Sequence, residues 1–102
     1  MARELKLQET LENFLGSENV YFQPPASVRL DYDCIIYKMS HIDMKLADNK
    51  KYAKFHAYTV TLITKEPDNP LIDSILDVFD HIKFDRNYVS DNLYHNVYTI
   101  YF

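Results

Sequence analysis

The sequence predicts a single α+β domain, an antiparallel or mixed β-sheet with two helices packed on one face. Three observations predict it. Residues 2–15 place apolar side chains at helical spacing and stop at the only glycine of the chain. Residues 53–65 and 94–102 alternate with the period of a strand, and residues 70–80 follow an Asn-Pro start signal with a second apolar stripe. A length of 102 residues suits one domain, 1–102, with one core.

In the first helix, Leu7, Leu11, Phe14 and Leu15 form the apolar stripe, while Arg3, Glu4, Lys6, Glu9 and Glu12 face water. Gly16 follows where a helix ends in a left-handed residue. Val20-Tyr21-Phe22 reads as a short strand stopped by Gln23-Pro24-Pro25, since proline removes backbone donors from a ladder. A strongly β-prone run covers 33–39. Residues 41–51 are polar and read as a loop longer than a hairpin requires, the kind of loop that serves function or assembly.

The strand at 53–65 sets His56, Tyr58, Val60, Leu62 and Thr64 against Phe55, Ala57, Thr59, Thr61 and Ile63. One side should meet the helices, leaving the other half covered. Asn69 is a good cap for a helix over 70–80, Pro70 fits its first turn, and Leu71, Ile72, Ile75, Leu76, Val78 and Phe79 make its stripe. Two strands, about 82–89 and 94–102, finish the chain, joined by Ser90-Asp91-Asn92, whose Asp and Asn tolerate left-handed backbone.

Composition narrows the chemistry. Phosphate-cradling loops, dinucleotide fingerprints and nucleophile elbows need glycine where backbone approaches a ligand, and the single glycine is already used at a helix end. Eleven Lys+Arg against fifteen Asp+Glu give a net charge of −4, so free nucleic-acid binding lacks its basic face. Cys34 lies in an apolar run and reads as a buried core thiol in a reducing compartment. No signal peptide or membrane span is expected.

Two groupings suggest metal or acid–base chemistry: His41 with Asp43, and Asp80-His81 with Asp85. Neither has the helical spacing of paired ligands, and solvated surface residues are the plainer reading. A small metal-dependent enzyme using His41, Asp43, His81 and Asp85 stays as an alternative. So does a nucleic-acid module on a Tyr-rich sheet face, although Lys and Arg are not interleaved there. Tyrosine is also an interface residue, offering apolar area and a polar tip together, and that reading suits the composition better. Lys45, Lys50, Lys51 and Lys54 surround the long loop while acids crowd the helices, an asymmetry able to steer copies together.

The runs Val20-Tyr21-Phe22-Gln23-Pro24-Pro25, Tyr32-Asp33-Cys34-Ile35-Ile36-Tyr37, Asp48-Asn49, Tyr58-Thr59-Val60-Thr61-Leu62-Ile63 and Phe84-Asp85-Arg86-Asn87-Tyr88-Val89-Ser90-Asp91-Asn92-Leu93-Tyr94-His95 resemble the tail terminator, or tail-completion, proteins encoded among the head-to-tail joining genes of long-tailed bacteriophages. The resemblance spans nearly the whole chain and its motifs are structural. It implies a homo-oligomeric ring, commonly of six copies, at the head-proximal end of the virion tail, made in the bacterial host cytoplasm. Such a ring stops polymerisation of the tail tube protein and presents a surface to the head connector protein. It also implies a sheet with packed helices and a long loop or hairpin reaching toward the tube or lumen. No catalytic residue, cofactor, metal, membrane or sequence-specific nucleic acid is implied. A head-completion, connector or tail-tube-like subunit is the neighbouring alternative. The expected assembly contacts are Met44, Lys45, Leu46, Asp48, Asn49, Lys50 and Lys51 in the 41–54 segment, with Asp85 and Arg86 able to pair across subunits.

Overall fold

The computed structural model describes residues 3–47 and 50–102, the side chains of residues 3, 4, 45–47 and 50–53 excepted. It contains helix α1 (Arg3–Leu15), strand β1 (Val20–Phe22), strands β2 (Cys34–Ala47) and β3 (Lys50–Thr64), and short helix α2 (Leu71–Ser74) with a 3-10 turn (Ile75–Asp77). Strands β4 (Ile82–Ser90) and β5 (Leu93–Tyr101) complete it. One mixed sheet runs β1-β2-β3-β5-β4, with β1 parallel to β2 and every other pair antiparallel. The α+β architecture is the one the sequence predicts.

Register decides which side chains reach the helices. Val20 faces Ile35, Ile35 faces Leu62, and Leu62 faces Asn96, so these share one side of the sheet. Two residues along, Tyr37, Val60 and Tyr98 form the next row. Leu7 and Leu11 of α1, with Ile75 and Phe79 beyond α2, bury this side together with Tyr58 and Ile100. Buried tyrosines fasten each helix at its polar end. The Tyr37 hydroxyl donates to Gln8 Oε1 at 2.7 Å, and the Tyr98 hydroxyl donates to the Ile72 carbonyl at 2.7 Å. Tyr37, Tyr58 and Tyr98 thus belong to the core of the chain itself.

Local signals at the element ends hold well. Gly16 has φ +80° and its amide donates to the Glu12 carbonyl at 2.9 Å. Asn69 Oδ1 accepts from the Leu71 amide at 2.9 Å, capping α2 from its side chain. Asp33 fastens two connections at once: one carboxylate oxygen accepts from the Lys65 amide at 2.9 Å, the other from Asn69 Nδ2 at 3.2 Å.

Two expectations need correction. The helix over 70–80 is only one α-turn followed by a 3-10 turn, and Leu76 and Val78 stay exposed. Its stripe was too wide for so short a segment to bury on one side. Of the long loop expected at 41–51, residues 41–47 and 50–51 are strand, and 48 and 49 lie outside the described residues. β2 continues from the expected end at 39 to Ala47, β3 begins at Lys50, and the two pair as far as Ala47↔Lys50. Near the start of this stretch β2 carries a β-bulge: Met39 faces Tyr58 and His41 faces Ala57, so Ser40 is one residue extra.

At the β4–β5 turn, Asp91 and Asn92 have φ 53° and 63°, both left-handed, as a two-residue hairpin turn demands. Asn92→Gly is expected to hold or raise the melting temperature, whereas Asn92→Val should lower it by several degrees, reflecting about 1–2 kcal/mol of backbone strain. In the core, Leu11→Ala should cost about 2–5 kcal/mol, read from urea unfolding.

Candidate functional site: the arm and the open face of the sheet

β1 covers β2 only at residues 35–37, and β5 covers β3 only from Ala57 onward. The remainder of the β2–β3 hairpin therefore projects as a two-stranded arm. The molecule is correspondingly long, 50 × 25 × 23 Å. Pairing within the arm sets Ile42 opposite His56, Asp43 opposite Phe55 and Met44 opposite Lys54. Ile42 and Met44 thus continue the helix-bearing side outward, beyond the reach of either helix. They are 46% and 53% exposed. Beside them Phe102, whose amide donates to the His56 carbonyl at 3.1 Å, meets Phe79 edge-on at 6.1 Å between ring centres.

The opposite side of the arm carries His41, Asp43 and Phe55 and runs into the side of the sheet that bears no helix. Asp43 Oδ2 lies 3.3 Å from His41 Nε2 and accepts from the Tyr101 hydroxyl at 3.2 Å. His41 meets the Tyr101 ring edge-on at 6.4 Å. Asp43, Phe55, His81 and Tyr101 line a cavity of about 310 Å³. Partial burial, then the hydrogen bond and charge of Asp43, raises the Tyr101 hydroxyl above its ordinary pKa.

Across this open side, Asp85 Oδ2 accepts from the Thr99 hydroxyl at 2.5 Å, and Lys83 Nζ stands 3.9 Å from its other oxygen. Arg86 lies over Tyr88, its guanidinium carbon 5.9 Å from the ring centre, and Tyr88 stacks on His95 at 4.7 Å. A bulge at Asp85 turns both Asp85 and Arg86 to this side, because Phe84 faces Tyr98 and Arg86 already faces Val97.

The expected assembly contacts thus fall in two places. Met44 is on the arm. Lys45, Leu46, Lys50 and Lys51 lie on its paired strands toward the tip, and Asp48 and Asn49 lie outside the described residues. Asp85 and Arg86 sit at the far strand, with Asp85 held by partners of its own chain. A scan against protein-family models finds no match for the chain, and a search of curated proteins finds none. Its geometry must speak for it.

The two histidine–carboxylate groupings of the sequence meet in part, since Asp43 and His81 line one cavity. Among the described residues no three His, Cys, Asp or Glu side chains are placed to hold a metal ion. No helix among them is long and apolar enough to cross a membrane. Sequence reasoning missed Phe55, Thr99 and Tyr101 as members of this surface. Alternation already put Thr99 and Tyr101 on one side of their strand, but only register shows that this side meets Asp43 and Asp85.

Cys34 is fully buried, and desolvation followed by the charges of Asp33 and Asp31 pushes its thiol from 9.0 up to about 12. That environment disfavours the thiolate a nucleophile needs. Tyr98 is likewise pushed from 10.0 to about 12, first by burial and then by Asp73. Both groups deprotonate more readily in the unfolded chain. Their stabilisation is therefore complete below about pH 9 and is lost as pH rises toward 12. Urea midpoints should be flat from pH 7 to 8.5 and fall above pH 9, with Cys34→Ala delaying the onset by about one pH unit.

Proposed function

We propose that this chain is a tail terminator of a long-tailed bacteriophage: a ring-forming virion protein that caps the tail tube, stops its polymerisation and joins the tail to the head connector. The observation that carries the reading is the two-stranded arm. It extends the sheet beyond its own core and presents Ile42, Met44 and Phe55 without covering them. Apolar side chains on a projecting ribbon gain little within one copy and much between copies. The sequence resemblance supplies the identity of the assembly, including its hairpin reaching toward tube or lumen.

The mechanism is steric and adhesive. A contact that joins one patch to a different patch on the next copy repeats around a closed axis, and closure makes a ring. One ring face then covers the growing end of the tube, and the other offers a platform to the connector. No residue has to break or form a bond.

Negative-stain images and light scattering after gel filtration should show rings, or a monomer that becomes a ring on tail tubes. A strictly monomeric protein absent from purified virions would sink the proposal. Its position in an imaged particle separates a terminator from a connector or tube subunit. Met44→Ser, at an exposed site, should change unfolding free energy by no more than about 0.5 kcal/mol while weakening assembly.

A further inference from the structure

We infer that the cavity at the root of the arm is a receptor for a lysine side chain, Lys50 or Lys51, from the arm of a second copy of this chain. The inference rests on the ring reading and names the contact that would build the ring.

The cavity has the makings of an organic-cation site. Asp43 supplies negative charge, and its side chain is 52% exposed, so a visitor can reach it. Its Oδ2 takes both the Tyr101 hydroxyl and His41, while Oδ1 accepts nothing among the described residues. Tyr101 and Phe55 add aromatic walls, which attract an ammonium and cover its aliphatic stem. At about 310 Å³ the space exceeds what a bare ion fills, and among the described residues no third metal ligand converges there.

Charge distribution points to the arm as the visitor. Residues 45–54 hold four of the eleven cations and one of the fifteen acids, leaving seven cations against fourteen acids elsewhere. The protein is thus a basic tip on an acidic body. Lys50 and Lys51 cannot serve their own root, whereas Lys45 lies only two residues along the strand from Asp43. Asp43 and Ala47 are four residues apart on a paired strand, about 13 Å at the rise of extended chain, and Lys50 is the partner of Ala47. That separation exceeds the roughly 6 Å a lysine side chain spans. Lys54 sits nearer, but it faces Met44 and so points from the other side of the ribbon. The contact therefore joins tip to root between copies, a head-to-tail arrangement of the kind that closes into rings.

Charge reversal tests it on the full-length protein. Asp43→Lys alone, and Lys50→Glu with Lys51→Glu, should each weaken association at least about tenfold by light scattering, with unchanged circular dichroism. Combining all three substitutions should restore it. Asp43→Lys assembling as tightly as the parent, or a combination that restores nothing, overturns the inference while leaving the ring reading intact. If the parent stays monomeric even on tail tubes, the ring reading fails instead. The pocket is then read directly by titrating a synthetic peptide of residues 44–54 against the Tyr101 and His81 ring signals. Salt-sensitive shifts abolished by Asp43→Lys support the receptor, and no shift overturns it.

Discussion

The pairing of β2 with β3 runs from Cys34↔Ile63 to Ala47↔Lys50, and the remaining elements take their positions from it. Because Ile35 faces Leu62 and Tyr37 faces Val60, one side of this hairpin is apolar over its inner half. That stripe forces the rest of the fold. β1 and β5 extend it by adding Val20, Tyr98 and Ile100 in register, and α1 and the α2 region exclude water from it. A one-residue slip would exchange Ile35, Tyr37, Val60 and Leu62 for Ile36, Lys38, Thr59 and Thr61, and neither helix would have a surface to cover. Past the last paired residues of β1 and β5 the same hairpin has only itself, which is why a core and an arm come from one element.

Tyrosine reconciles the two halves. On the helix side, Tyr37 and Tyr98 combine large buried area with one hydroxyl that finds a partner on the covering helix. On the open side, Tyr101 and Tyr88 use the same chemistry toward Asp43 and Arg86. The residue type that locks the helices also furnishes the surface, so composition alone could not apportion it.

What the sequence made legible follows locality. Gly16, Asn69 and the Asp91-Asn92 turn act on neighbours a few residues away, and their roles were readable from type and position. Strand alternation in 53–65 and 94–102 grouped Val60 with Leu62 and Tyr98 with Ile100, but which side of each strand is buried came only from the packed structure. The arm was misread as a loop because His41, Asp43 and Lys45 dilute the apolar signal. The second helix was overextended because apolar spacing records preference, not the length that packing allows. The cavity was only half visible. His41 and Asp43 are two residues apart and suggested themselves, but His81 and Tyr101 join them through a register no local pattern encodes.

The bulge at Ser40 separates two design problems that would otherwise be entangled. Before it, alternation along β2 answers to the core; after it, the phase is reset, placing Ile42 and Met44 on one side and His41 and Asp43 on the other. Loss of that single residue would remove the bulge and let His41 follow Met39 in plain alternation, so the pairs Met39↔Tyr58 and His41↔Ala57, and what each side of the arm displays, would be kept. What the extra residue adds is a local bend and stronger twist where the hairpin leaves the core, so Ser40 sets the direction in which the arm projects and not the residues it shows.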